Sequence, residues 1–241
     1  MLNPEHSLIP YQVSAVPEGP WLVFAPHADD ETYGMGGSLL KASDEGVATH
    51  LVVLTDGALG GDSENLTDIR KKEVQRAADV LGIASVQCWD EPDRGLNQSE
   101  KLLSKVVHTI EDLKPASVFF PGPLEIHPDH RAAAQLIWAA LQSMANADKP
   151  RAYAYEISVQ NPVNIFIDIT SQRECKEQAM AAYASQNSEN NYEELVLSLD
   201  KGRTFSLPTE VSHAEGFYHF SEADLGLSLR EVTHRIIDLY F

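Results

Sequence analysis

Positive charge is what this sequence most lacks: 18 lysines and arginines stand against 36 aspartates and glutamates, a formal net charge of −18 at pH 7. A polyanionic partner would be repelled over most of such a surface, so neither nucleic acid nor an anionic membrane surface is an expected partner. Cysteine is nearly absent. Cys88 and Cys175 fall on separate predicted elements without C-x-x-C spacing, and read as free thiols in a reducing compartment. No apolar stretch approaches the length that spans a bilayer. The first twenty residues lack a basic segment and a long apolar core, which argues against a signal peptide and for an irregular surface arm. The expectation is a soluble cytoplasmic protein. With 43% hydrophobic residues in 241, and no repeat, low-complexity tract or linker, one domain is expected over residues 1–241. Residues 1–20 would be its arm and 221–241 a C-terminal helical extension.

A glycine-rich phosphate fingerprint is also missing from the place where it would count. Residues 21–34 read WLVFAPHADDETYG, a short apolar run closed by a proline and followed at once by a histidine and three acids. The run reads as a buried parallel strand, and the loop past its carboxyl end is where open α/β sheets bind ligands. Dinucleotide phosphates need close backbone approach and a free helix N-terminus there. Carboxylates instead repel phosphate and invite a cation. His27 and Asp30 offer nitrogen and oxygen ligands three residues apart, while Asp29 between them is free to take a proton.

A second loop of the same kind lies far along the chain, where residues 118–130 read VFFPGPLEIHPDH. His130 would complete two histidines and one aspartate, a ligand set that leaves positions for water and substrate. The plain alternative is a pair of helix-capping histidines, which the matched strand-end positions and the acids disfavour.

The H-x-D-D-E run, the later H-P-D-H and landmarks around them resemble the PIG-L/LmbE-like family of zinc-dependent de-N-acetylases, over roughly residues 20–220. The resemblance implies removal of an acetyl group from an N-acetylglucosamine-type amino sugar, with zinc, one per chain, held by His27, Asp30 and His130. Asp29 is then the general base. His127, not used as a ligand, stabilises the developing oxyanion or protonates the leaving amine. Arg70 opposes the dipole of its own helix from the first turn, and the family keeps a substrate-reaching arginine there, so it is assigned to substrate binding. Two departures are visible: Ala28 stands where the family has proline, and Glu125 and Ile126 stand where some members carry a tyrosine. Lys176 to Gln186 also has a family pattern, for which an amphipathic helix packing on the sheet is the preferred reading, and Glu215 to Tyr218 resembles the family too.

The remaining pattern is α/β. Strands are expected at 21–25, 48–54, 85–89 and 116–120, with helices at 34–45, 68–81 (capped by Thr67), 99–113 and 128–144 between and after them. Such alternation predicts a Rossmann-like three-layer sandwich, a mostly parallel sheet with helices on both faces. Beyond Pro150, strands at 151–158 and 163–169 extend the sheet, partly antiparallel. A helix capped by Thr170 or Ser171, another at 192–199 and a last at 228–240 follow. Loops at 56–68, 91–96 and 183–191 are rich in Asp, Asn, Gly and Ser, and suit a small-molecule sugar substrate; a homo-oligomer is compatible with all of this. A zinc amidase for another small N-acyl compound, such as an antibiotic intermediate, and a non-catalytic Rossmann-like binding module are the competing readings. Metal content separates the last from the other two.

Overall fold

Alternation along one five-residue strand sets out the whole core. In β1 (Trp21–Ala25), Trp21, Val23 and Ala25 pack into one hydrophobic cluster while Leu22 and Phe24 pack into another, and all five are buried. A strand covered on both faces has to be apolar throughout. The computed structural model describes residues 2–61, 65–187 and 190–241. After β1 come α1 (Asp30–Asp44), β2 (Thr49–Thr55), α2 (Leu66–Leu81), β3 (Ser85–Glu91), α3 (Glu100–Leu113), β4 (Ser117–Pro121) and α4 (Pro128–Ser143). The second half contains β5 (Arg151–Tyr155), β6 (Ile165–Asp168), α5 (Arg173–Met180), α6 (Ala184–Asn187), α7 (Tyr192–Gly202), β7 (Ala214–Phe220) and α8 (Leu229–Asp238).

The seven strands form one sheet in the order β3-β2-β1-β4-β5-β7-β6. The first five are parallel, and β7 runs antiparallel to both β5 and β6. On one face α3, α4 and α8 bury Val106, Ile137 and Val232 against Leu22 and Phe120; on the other α1, α2 and α5 bury Leu39, Val74 and Ala179 against Val23 and Phe119. This is the expected α/β sandwich. No helix among the described residues is long and apolar enough to cross a membrane.

Four local expectations are corrected. α1 begins at Asp30, a turn before Gly34, because Asp30 and Glu31 suit the positive end of a helix dipole. The glycine segment is instead where the helix breaks, with Met35 at φ −150°, ψ 21°, and Gly37 there comes so close to Ile169 that a Cβ would lie 2.7 Å from it. α2 starts at Leu66 after Asn65, so Thr67 lies inside the helix and caps nothing. Gln172 precedes α5 without a side-chain cap, and the Thr170 hydroxyl accepts from Ser212 N instead. The strands expected at 151–158 and 163–169 shorten to β5 and β6, and β7, not foreseen as a strand, lies between them, its Phe217 facing both Tyr155 and Ile165. By contrast Ser228 caps α8 as a full capping box with Glu231. The expected loops at 56–68 and 183–191 fall partly on residues 62–64 and 188–189, outside the described residues.

Candidate active site

Strand order reverses between β1 and β4. The chain moves from β1 outward through β2 and β3, then returns to lay β4 on the other side, Trp21 opposite Ser117 and Val23 opposite Phe119. Loops leaving two such strands diverge and open a crevice at their carboxyl ends. The loop after β1 carries His27 and Asp29 and enters α1 at Asp30; the loop after β4 carries Glu125 and His127 and enters α4 at Pro128. His127, Asp129 and His130 therefore occupy the N-cap and first turn of α4, with Pro128 suited to the first helical position.

Asp30 stands between the two histidines. Its Oδ2 accepts from His27 N at 2.8 Å and lies 3.1 Å from His27 Nδ1, while its Oδ1 lies 3.3 Å from His130 Nε2. Two imidazole nitrogens and a carboxylate so placed are a donor set suited to a divalent metal such as zinc. Among the described residues, the groups whose ligand atoms all lie within 4.8 Å of one another are His27 with His127 and His130, and His27 with Asp93 and Asp129; Asp30 falls in neither.

The outward nitrogens are held as well. His27 Nε2 faces Asp129 Oδ2 at 3.3 Å and Asp93 Oδ1 at 3.5 Å, and His130 Nδ1 faces Glu125 Oε2 at 3.4 Å. Those carboxylates are fixed in turn: Asp129 accepts from Arg94 N at 2.6 Å, and Glu125 from Ile157 N at 2.8 Å and Ser158 N at 3.1 Å. Carboxylates on the far nitrogens orient metal-binding imidazoles and make them more basic. The electrostatics agree. Burial alone would lower both histidines, yet Asp129, Asp30 and Asp93 raise His27 well above its usual value, and Asp30 with Glu125 lifts His130 to about 9. Burial opposes ionisation of Asp30, but His130 and His27 hold its carboxyl far below the carboxylate range.

Asp29 has φ 142°, ψ −28°, a backbone conformation that side chains rarely adopt. Its carbonyl accepts from Thr32 N and Tyr33 N at 3.0 and 2.9 Å, so the first turn of α1 holds the residue in that geometry. Burial and the charge of Asp30 push its carboxyl well above the usual range, against His27 and Arg70. His127 Nδ1 accepts from Asp129 N at 3.2 Å, which leaves Nε2 to carry the proton of the neutral ring. Burial, with the nearby His27 and His130, lowers its pKa and favours that neutral donor.

Arg70 reaches the same crevice from α2, and its side chain is almost wholly buried. Gly57 and Gly60 make room for it, since a Cβ on either would lie 2.1 Å from a guanidinium nitrogen. It makes no ion pair among the described residues, and its Nε has no hydrogen-bond partner there. A buried guanidinium whose Nε has no partner among the described residues can take a polar ligand.

His27, Asp29, Asp30, Arg70, His127 and His130, all named from the sequence, line one cleft of about 540 Å³. The sequence reading missed Asp93, Asp129 and Glu125. Asp129 lies inside H-P-D-H, but nothing local in the sequence shows that the carboxylate of Glu125 turns back to His130. Glu31, the third acid of the first loop, is buried and accepts from the hydroxyls of Tyr183 and Thr32, anchoring α1 to the segment after α5.

The sequence profile of the PIG-L family, GlcNAc-PI de-N-acetylase, matches residues 22–141, which include both loops of the crevice. A diacetylchitobiose deacetylase of Thermococcus kodakarensis is 30% identical over 191 residues, 71% of this chain and 72% of that protein. A probable N-acetyl-alpha-D-glucosaminyl L-malate deacetylase 2 of Bacillus anthracis is 30% identical over 182 residues, 68% of this chain and 80% of that one. Among solved structures, the N,N'-diacetylchitobiose deacetylase of Pyrococcus horikoshii superposes with a TM-score of 0.75 at 26% identity, covering 85% of this chain and 84% of its own. On the match to that profile and the extent of its likeness to the Thermococcus enzyme, the chain belongs to the PIG-L family.

Proposed function

We propose that the chain is a zinc-dependent hydrolase that removes the acetyl group from an N-acetylated amino sugar of the N-acetylglucosamine type, releasing free amine and acetate. The observation that carries this reading is Asp30 set between the inner nitrogens of His27 and His130, while buried carboxylates hold the outer ones. The amino-sugar half of the reading draws on the deacetylases it is similar to.

His27, Asp30 and His130 would hold the cation, which when bound supplies a Lewis acid that acidifies water and polarises the amide carbonyl. The chain's own groups divide the rest. Asp29, kept basic by burial and by Asp30, takes the proton from the attacking water. As charge develops on the carbonyl oxygen, His127 donates from Nε2, the nitrogen left protonated by its bond to Asp129 N. Collapse needs a proton on the departing amine, which Asp29, now protonated, or His127 supplies from the cleft wall. Arg70 binds a polar group of the substrate away from the reacting amide.

The test is metal analysis of the purified protein together with a panel of N-acetylated compounds scored by release of amine. About one zinc per chain is expected, with chelator-sensitive turnover of N-acetylglucosamine glycosides or glycoconjugates. Faster turnover of N-acetyl amino acids or aryl acetamides than of every sugar would overturn the amino-sugar assignment and leave an amidase for another small N-acyl compound.

A further inference from the structure

The cleft has a second wall that the deacetylation chemistry does not use. Tyr192, Leu195, Val196 and Leu199 of α7 all line it, and their spacing of i, i+3, i+4 and i+7 makes them one apolar stripe of the helix. Such a stripe ordinarily packs into a core. Here only Val196 is buried, against Tyr33 and Met180, while Leu195 is 57% exposed and Tyr192 38%. Two further large apolar side chains open into the same space: Leu59 from the loop after β2, 64% exposed, and Ile126 from the loop before α4, 67% exposed. Ile126 is the immediate neighbour of His127, and both line the cleft that the α7 stripe walls. Single exposed leucines need no explanation, but four exposed apolar side chains gathered around one concave site mark a surface that a ligand covers.

We propose that the α7 stripe, with Leu59 and Ile126, is a subsite for an apolar group carried by the amino-sugar substrate. The inference rests on the deacetylase reading for the position of the sugar, and makes the natural substrate amphiphilic. The polar side of the cleft, with Arg70, Asp93 and the histidines, takes the sugar; the apolar side takes an alkyl or aromatic substituent. That substituent is the aglycone or, in place of acetyl, a longer N-acyl chain, the two positions at which an amino sugar of this type carries an apolar group.

The experiment compares kcat/KM for the methyl and octyl glycosides of N-acetylglucosamine, and for N-acetyl- and N-octanoylglucosamine, in the wild type, Leu195→Gln and Leu59→Gln. Both positions are largely exposed, so neither variant removes core packing. In one arm the octyl compound should be favoured at least about tenfold, mainly through KM, and the preference should shrink towards unity in both variants. A merely structural role for Leu195 would lower long- and short-chain substrates alike and leave the ratio unmoved. Preference in the glycoside arm identifies the aglycone as the apolar group, and preference in the acyl arm identifies the acyl chain. No preference in either arm, or one that both variants retain, overturns the subsite. If no sugar releases amine, the deacetylase reading fails, and calorimetric binding of octyl against methyl glucoside decides separately. Octyl glucoside bound about tenfold tighter, with the difference lost in Leu195→Gln, keeps the apolar subsite; equal binding removes it.

Discussion

Lys176 and Glu215 meet in a wholly buried ion pair, Nζ to Oε1 at 2.7 Å, although they come from α5 and β7. Both oxygens of Glu215 also accept backbone amides of α1, from Gly37 at 2.8 Å and Ser38 at 2.7 Å, just past the break at Met35. The second arm of the α1 kink is thus capped by a carboxylate from another part of the chain. Lys176 Nζ donates equally to Asp200 of α7 at 2.7 Å, so one ammonium ties the kinked helix to the helix that walls the cleft. Replacing Lys176 with Met would leave two buried carboxylates without their counter-charge. A loss of about 3–5 kcal/mol in denaturant unfolding is expected, with part of it recovered in Lys176→Met/Glu215→Gln. A cost below about 1 kcal/mol would show that water reaches the pair.

Asp29 combines a predicted chemical role with an unfavourable backbone. Asp29→Asn should retain bound metal and lose nearly all turnover. Asp29→Gly should also be inactive but more stable than the wild type by about 1 kcal/mol, because relief of strain outweighs the added flexibility of the unfolded chain. Chemical denaturation in the presence of chelator measures this. If Asp29→Asn emptied the metal site while turnover persisted, the roles of Asp29 and Asp30 would be exchanged.

The histidines give the metal-free protein a defined pH response. With a folded pKa of about 9 against an ordinary 6.5, His130 contributes stability that is fully present below pH 6.5 and lost as the pH rises through 9. Chelator-treated protein should therefore lose up to about 3 kcal/mol between those values, and His27 acts in the same direction. A cation competes with the same protons, so its affinity should rise over that window, with protons released on binding. Calorimetry in two buffers of different ionisation enthalpy counts them; binding without proton release would contradict the ligand assignment.

Glu125→Gln keeps an oxygen to accept from Ile157 N and Ser158 N but removes the charge facing His130. Metal affinity should fall by about 10- to 100-fold while thermal stability of the metal-free protein changes little by comparison. Unchanged affinity in a competitive chelator titration would reduce Glu125 to a link between two loops.

Arg70→Ala should leave metal content intact and lower kcat/KM by about 30-fold, the loss of a charged hydrogen bond worth about 2 kcal/mol. Gly60→Ala offers an independent check, because its Cβ would lie 2.1 Å from the Arg70 guanidinium and must displace it. Kinetics in Gly60→Ala should follow those of Arg70→Ala; wild-type kinetics would show that the guanidinium's position is immaterial.

Strands of this protein were legible because burial on both faces forces continuous apolar runs, and each run ends abruptly: at Pro26 after β1, at Asp56 after β2 and at the Gly122-Pro123 turn after β4. Placing ligands at the carboxyl ends of parallel strands then brought His27 and His130 together without a structure, since right-handed crossovers leave few alternatives. Helix boundaries were less secure where glycine signals competed with acids, and α1 shows the acids setting the start and the glycines the kink.

The sequence by itself determined the sheet's apolar strands and the two loops that carry the histidines and acids of the cleft, because those depend on residue type and short-range spacing. Tertiary structure alone decided that β7 enters between β5 and β6, that Asp129 reaches His27 across 102 residues, and that Glu125 backs His130. It also left Tyr192 and Leu195 of the α7 stripe exposed at the cleft while burying Val196. A helical period states that one face is apolar but not what that face meets. The partner is fixed by the combined packing of elements distant in the chain, and no local pattern records that sum.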